Sequence, residues 1–328
     1  MSVCIFVLIS SRFSFDWLAT CSGNHNSQNF ISYSRFKITP SRSERIAVVE
    51  LSFTINEMLS KNLELIIPQL EELTRSLFPE ILKIYQNPRS NAQEKKDGSP
   101  VTAADMYAHK VIVKFLKKHF PDIPVVSEES FKQKNYKPAK EFWIIDPIDG
   151  TKEFVNKSDE FTTNIALIQN GKPILGVVGA PAFDQVWSGV ANQITQKKKA
   201  DAKKRTILRI VSSRSHRTVI DTAFLNFLDK KGKRLKIISK GSSLKICALA
   251  DKKADIYPRF GPTSEWDIAA ADAVLRSRGG GIFQIDNHKP LEYGKKDSIL
   301  NPMFIAISNL NEKKAILSLI GGFSKNLL

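Results

Sequence analysis

The amino-acid sequence predicts an α+β protein in which layers of helix and sheet alternate, and three observations lead there. Two stretches, 62–85 and 104–120, carry apolar residues at helical spacing. Two apolar runs within 164–178 are split by turn residues in the manner of a hairpin. Further on, short strand-like runs each lead into helical sequence, and hairpins mixed with strand–helix units require sheets covered by helices.

Taken in order, the chain opens on a segment, 1–57, that reads unlike the rest. Residues 1–43 are rich in serine, contain arginine and include one acid, Asp16. That composition suits an organellar transit peptide, or sequence lying upstream of a true start at Met58. No periodicity marks a packed element there, so 1–57 is expected to be a disordered leader. From 62 to 85, Leu63, Ile66, Ile67, Leu70, Leu73, Leu77, Ile81 and Ile84 form one helical stripe. Pro68 and Pro79 fall inside it and predict a kinked or divided helix. Thr102 introduces the helix over 104–120. A short strand, Pro124-Val125-Val126, and a stronger one, Phe142-Trp143-Ile144-Ile145, come next. Asn170-Gly171-Lys172-Pro173 turns the hairpin. Strands are expected at 206–211 and 235–238, and a helix over 264–278 closed by Gly279-Gly280-Gly281. The lysine-rich stretch 196–205 is the best internal boundary, giving a half at 58–205 and a half at 206–328. No internal repeat is visible.

Composition narrows the class. The chain has 328 residues, 42% of them hydrophobic, which is ample for a buried core. No apolar run approaches the roughly 18–20 residues of a membrane span. Cys4, Cys21 and Cys247 are far apart, odd in number and form no CxxC pair, so neither a disulfide framework nor a zinc site is indicated. A reducing, cytoplasmic compartment fits that usage. The net charge of +16 comes from clusters such as Lys197-Lys198-Lys199, Lys203-Lys204-Arg205 and Lys230-Lys231-Gly232-Lys233-Arg234. They lack the interleaved aromatics of a single-strand nucleic-acid platform. They read as solvated surface whose field draws in an anionic substrate. Peripheral contact with an anionic membrane leaflet stays open, although no amphipathic anchor accompanies the charge.

One stretch carries chemistry: Trp143-Ile144-Ile145-Asp146-Pro147-Ile148-Asp149-Gly150-Thr151-Lys152-Glu153-Phe154. An apolar strand delivers Asp146 to a sheet end, Pro147 is expected to stop the ladder, and Asp149 returns soon after. Two carboxylates so placed repel unless a cation lies between them. Hard oxygen donors with no His or Cys nearby favour Mg²⁺ over zinc. Gly150-Thr151 then opens a short helix whose free N–H groups suit a phosphate. Taken alone, Asp149-Gly150 is ordinary turn chemistry, Glu128-Glu129 an acidic pair at a strand end, and Thr102…Asp105 and Ser264…Asp267 capping boxes. Together they are harder to read as surface.

These strings resemble the inositol monophosphatase superfamily of lithium-sensitive, Mg²⁺-dependent phosphatases, and within it the CysQ-type 3′(2′),5′-bisphosphate nucleotidases. The resemblance rests on Asp97-Gly98-Ser99-Pro100-Val101-Thr102-Ala103-Ala104-Asp105, Val126-Ser127-Glu128-Glu129, and Asp146 through Phe154. Gly241-Ser242-Ser243-Leu244-Lys245, Tyr257-Pro258-Arg259-Phe260-Gly261-Pro262-Thr263 and Trp266-Asp267 add to it, in the family's order, from about residue 60 onward. It implies a layered α-β-α-β-α sandwich.

Carried over, the resemblance implies carboxylate metal ligands at Glu128, Asp146, Asp149 and Asp267, with the carbonyl of Ile148. Asp105 and Thr151 are implied as the pair that polarises the attacking water. Gly150, Thr151 and Lys152 are implied as the phosphate cradle, which lies beside Glu128 and Asp267. His216, Ser242, Lys245 and Arg259 resemble the nucleotide-contacting set. The metal site then belongs to 58–205, and 206–328 completes the substrate site. Lys152-Glu153-Phe154 is nucleotidase-like, where inositol phosphatases more often carry Thr-Asn-Phe. Ala271 replaces a common glycine and Ile268 a common threonine, both near Asp267. The implied substrate is a small phosphonucleotide. An inositol or sugar phosphate is the alternative, and a basic nucleic-acid binder without catalysis the other; the intact set of acids argues against nucleic acid. The oligomeric state is not written in the sequence.

Overall fold

The computed structural model describes residues 4–11, 14–21, 34–37, 42–86, 93–94, 100–101, 103–191, 207–214 and 218–324. They fall into two units, Met1–Lys61 and Asn62–Leu328. In the first, β1 (Cys4–Ser11), β2 (Ser14–Cys21) and β3 (Ser34–Lys37) form an antiparallel sheet, and α1 (Arg42–Gln86) begins. The sequence reading expects no packed element in 1–57. The described part of that segment carries this sheet, consistent with the β-favouring run Cys4-Ile5-Phe6-Val7-Leu8-Ile9. Residues 42–57 of it belong to α1, while 1–3, 12–13, 22–33 and 38–41, like Thr102, His216 and the lysines of 196–205, lie outside the described ones.

Pro68 and Pro79 lead the sequence to expect a kinked or divided helix; α1 runs through both undivided. Both prolines are exposed. So are Glu64 and Arg75, one turn back, whose carbonyls lose a helix partner. Water can satisfy those carbonyls, while Leu70, Leu73, Leu77 and Ile81 on the opposite side are buried and hold the helix in place.

After the ribbon of β4 (Gln93–Glu94) and β5 (Pro100–Val101), α2 (Ala103–His119) leads into the first large sheet. That sheet comprises β6 (Val125–Ser127), β7 (Glu141–Asp149), β8 (Thr162–Gln169), β9 (Lys172–Ala180) and β10 (Gln185–Val190), in the order β10-β9-β8-β7-β6. The helix α3 (Thr151–Val155) interrupts it between β7 and β8. The second sheet has the order β12-β11-β13-β15-β14, from β11 (Ile207–Ser213), β12 (Arg234–Lys240), β13 (Ile256–Arg259), β14 (Gly281–Gln284) and β15 (Phe304–Ile307). Its helices are α4 (Val219–Lys230), α5 (Leu244–Ala250), α6 (Ala269–Ser277) and α7 (Lys313–Ser324).

Strand alternation sorts the apolar side chains into three cores. Trp143, Ile145, Ile165 and Leu167 face Leu70, Leu77, Ala108 and Ile112 of α1 and α2. Their neighbours Phe142, Ile144, Ala166 and Ile168 share a core with α5, α6, Tyr257 and Ala306. On the far side, Ile210, Ile256, Ile305 and Ile307 pack with Phe224, Leu228, Ile316 and Ile320 of α4 and α7. The layering is therefore helix, sheet, helix, sheet, helix, and both sheets lie in the unit Asn62–Leu328.

The central helix α6 sits unusually close to the first sheet. Gly176 and Gly189 are cross-strand partners beneath it. A Cβ on Gly176 would lie 2.1 Å from the Ala270 carbonyl oxygen, and one on Gly189 2.1 Å from Ser277 Oγ. Bare backbone on the sheet and alanines on the helix allow this approach; Ala271 and Ile268 are both buried in it.

Two expected boundaries move. Asn170 and Gly171 alone turn the hairpin, with Gln169 opposite Lys172, so Pro173 belongs to β9. The helix expected from Ser264 starts at Ala269 instead. Ser264 pairs with Leu300 in an isolated bridge, and its N–H donates to Asp267 Oδ2 at 2.8 Å, which holds 264–267 in a turn.

Candidate active site

The site forms where β7 ends. Side chains three apart on a regular strand point to opposite faces, so Asp146 and Asp149 should diverge. They do not, because β7 carries one residue more than β8 between the pairs Asp146–Asn164 and Asp149–Thr162. This bulge restores Asp149 to the face of Asp146. Pro147, expected to end the ladder, sits inside the bulge: it has no N–H to lose, and its carbonyl accepts from Thr163 Oγ1 at 2.8 Å. β7 therefore runs on to Asp149.

Asp267 arrives from the turn before α6. Carboxylate oxygens of Asp146, Asp149 and Asp267 lie within 4.8 Å of one another. Glu128, just after β6, is outside that trio but hydrogen-bonds with Asp146 and lines the same cavity. Burial, then the like charges of Glu128, Asp149 and Asp267, push the Asp146 carboxyl well above its ordinary range. Asp267 is raised likewise, first by burial and then by Asp149 and Glu128, against the Ser264 N–H bond and the Lys245 charge. Asp146 Oδ1 is buried with no hydrogen-bond partner. An orphaned carboxylate oxygen among clustered, mutually repelling acids fits a divalent cation, and donors that are all oxygen fit a hard one. The Ile148 carbonyl, expected as a further ligand, accepts from Thr151 Oγ1 at 3.1 Å, and Ile148 lines the cavity.

Gly150 takes the left-handed conformation, φ 88°, and starts α3 at Thr151. A Cβ there would also press on the Glu160 carbonyl at 3.2 Å and on Ser242 Cβ at 3.3 Å. Gly150, Thr151 and Lys152 line the cavity, whose volume is about 620 Å³. Thr151 Oγ1 is 3.5 Å from Asp105 Oδ1. Asp105, in the first turn of α2, is buried behind Thr151 and is not itself part of the cavity wall.

Ser242 after β12, Lys245 on α5 and Arg259 at the end of β13 line the same cavity, while His216 lies outside the described residues. Ser242, expected to meet substrate, donates to Asp149 Oδ2 at 2.6 Å. Lys245 Nζ stands 5.9 Å from the Tyr257 ring centre. Burial, with the charge of Arg259, pushes its ammonium below the ordinary value against Asp149, Glu153 and Asp267. Arg259 Nη2 donates to the Pro262 carbonyl at 3.0 Å.

Sequence reasoning missed the hydroxyls and amides that hold these acids. Thr162 Oγ1 and Asn164 Nδ2 both reach Asp149 Oδ2 at 3.5 Å, and Thr162 Oγ1 also meets Ser242 Oγ at 2.6 Å. Asn164 donates to Ser243 Oγ at 3.0 Å, and Ser243 donates to the Asp267 carbonyl at 2.6 Å. The available signal was two polar residues, Thr162 and Asn164, on one face of a strand whose next residues on that face, Ala166 and Ile168, are apolar.

Comparison with known proteins points the same way. The sequence profile described as "Inositol monophosphatase family" matches residues 62–320. The chain is 40% identical over 244 residues to the 3′(2′),5′-bisphosphate nucleotidase CysQ of Escherichia coli K12, covering 72% of this chain and 97% of that one. It is 39% identical over 237 residues to the CysQ nucleotidase of Buchnera aphidicola, covering 70% of this chain and 86% of that one. Among solved structures, CysQ from Bacteroides thetaiotaomicron matches with a TM-score of 0.62 at 36% identity, over 72% of this chain and 94% of that one.

Proposed function

The chain belongs to the inositol monophosphatase family, and on that premise we propose that it hydrolyses the 3′-phosphate of 3′-phosphoadenosine 5′-phosphate, giving AMP and phosphate, with Mg²⁺ as cofactor. The observation that carries this is the acid trio within 4.8 Å, with Asp146 Oδ1 orphaned, beside the mouth of α3 in one cavity. The nucleotidase names of the CysQ relatives support the substrate.

Asp146, Asp149, Asp267 and Glu128, with the Ile148 carbonyl, are the residues that would hold magnesium. When bound there it would supply positive charge to the phosphoryl oxygens and acidify water. The chain's own groups do the rest. Gly150 and Thr151 N–H groups hold the phosphoryl oxygens, where donors already in place stabilise charge as it develops. Thr151 Oγ1, between Asp105 and the cavity, takes a proton from the attacking water and passes it toward Asp105. Water adds to phosphorus in line, the bond from phosphorus to the 3′-oxygen breaks, and a proton returns to that oxygen. Lys245 and Arg259 meet the rest of the anionic nucleotide, with His216 as a further proposed contact. The proposed place of action is the cytoplasm.

Phosphate release from the nucleotide and from inositol 1-phosphate should be compared with and without Mg²⁺ and lithium. The expected outcome is a Mg²⁺-dependent, lithium-inhibited rate with the higher kcat/KM on the nucleotide. A preference for the inositol ester, or a rate indifferent to Mg²⁺, would sink the reading.

A further inference from the structure

Glu160 lies just before β8, is 5% exposed, and has no place in the chemistry above. Its carboxylate accepts the Gly241 N–H at 2.7 Å, Arg214 Nε and Nη2 at 2.9 and 3.1 Å, and Lys240 Nζ at 3.1 Å. Burial alone would raise its pKa. The hydrogen bonds from Lys240 and Gly241 and the charges of Lys240 and Arg214 outweigh that and hold it below the ordinary value. A buried charge satisfied on every side is a fixed point.

What it fixes is the next residue. Gly241 precedes Ser242, which is held at φ 49° and donates to Asp149 Oδ2 at 2.6 Å. There is no slack between these segments. A Cβ on Gly241 would lie 3.0 Å from the Glu160 carbonyl oxygen, and one on Gly150 3.2 Å from the same atom. Glu160 thus lies against Gly241, just before Ser242, and against Gly150, just after Asp149, from the segment that leads into β8.

We propose that Glu160 is a positioning residue: by holding the Gly241 N–H it sets Ser242 Oγ against Asp149 and so orients that carboxylate for cation binding. Arg214 is half-exposed and Lys240 about a third exposed, and both serve to keep Glu160 charged in place. The inference rests on the reading of Asp149 as a metal ligand, but not on the choice of substrate.

The test is Mg²⁺ binding followed by calorimetry without substrate, on the full chain and on Glu160→Ala, Glu160→Gln, Ser242→Ala and the Glu160→Ala/Ser242→Ala double variant. Glu160→Ala should weaken binding about tenfold, the size of an effect worth one well-placed hydrogen bond to a charged group. Because the effect runs through Ser242, the double variant should bind no more than about twofold weaker than Ser242→Ala, as coupled sites do. Glu160→Gln keeps the volume and an acceptor for Gly241, and should bind within about threefold of the parent. In turnover, Glu160→Ala should lower kcat and leave the nucleotide KM little changed. Unaltered Mg²⁺ affinity in Glu160→Ala, effects that multiply in the double variant, or a Gln variant as weak as Ala would each overturn the proposal. A parent protein that binds Mg²⁺ yet leaves the nucleotide intact overturns the proposed substrate and leaves this inference standing. A parent that binds no Mg²⁺ overturns both.

Discussion

Asp146, proposed to hold the cation, shows how such a residue opposes the fold that carries it. It is 1% exposed, keeps one oxygen without a partner, and sits among three other acids. Without a cation, Asp146 and Asp267 are held with carboxyl pKa values above their ordinary 3.8. An acid whose pKa is higher folded than unfolded stabilises the fold at low pH, and that contribution is lost as pH rises through the raised value. In chelator, thermal unfolding should therefore move to lower temperature as pH is raised from acid to neutral, and added Mg²⁺ should reverse the loss. Asp146→Asn removes the buried charge. It should raise stability in chelator at neutral pH by about 1 kcal/mol, within the usual range for relieving a strained functional site. It should flatten the pH dependence and lower kcat at least about a hundredfold, as loss of a transition-state charge partner does. A variant less stable than the parent in chelator would contradict this account.

At the scale of elements, the site depends on two local departures from regular structure. The bulge in β7 re-aims Asp149, and the close seat of α6 over Gly176 and Gly189 brings Asp267 in from the other side. Gly176→Ala puts a Cβ within 2.1 Å of the Ala270 carbonyl, a backbone atom that cannot rotate away. The expected cost is about 1–3 kcal/mol in denaturant unfolding, as for other overpacked cores. Because Asp267 lies in the turn that leads into the displaced helix, Mg²⁺ affinity should fall too. Loss of stability with unchanged Mg²⁺ binding would show that α6 moves without its turn. Neither departure could be read from periodicity, which describes only the regular part of an element.

For the molecule as a whole, the two five-stranded sheets and every described site residue fall in the unit Asn62–Leu328, as do the buried residues Leu70, Leu73, Leu77 and Ile81 of α1. Protein starting at Met58 should therefore match the full chain in unfolding temperature and in kcat/KM on the nucleotide. A clear drop in either would mean that 1–57 contributes to the folded enzyme. Among the described residues no helix is long and apolar enough to cross a membrane. The lysines at the turn between α4 and β12, Lys230, Lys231 and Lys233, are exposed.

Sequence alone determined the alternation of layers, because the helical and strand periods of Leu70, Leu77, Trp143 and Ile145 are set by neighbours a few residues away. It also determined the kind of chemistry: acids without His or Cys, followed by a glycine that opens a helix, restrict the donors to oxygen whatever the fold. Short strands such as β13, β14 and β15 escaped it, since four residues carry too little pattern. Tertiary structure decided which acids meet, because that depends on strand register and on how closely α6 can approach a sheet. It also decided the contacts around them: Ser242 meets Asp149, Asn164 meets Ser243 and Gly241 meets Glu160 across 93, 79 and 81 residues of chain. Hydrogen bonds of that reach leave no trace in the local sequence on either side.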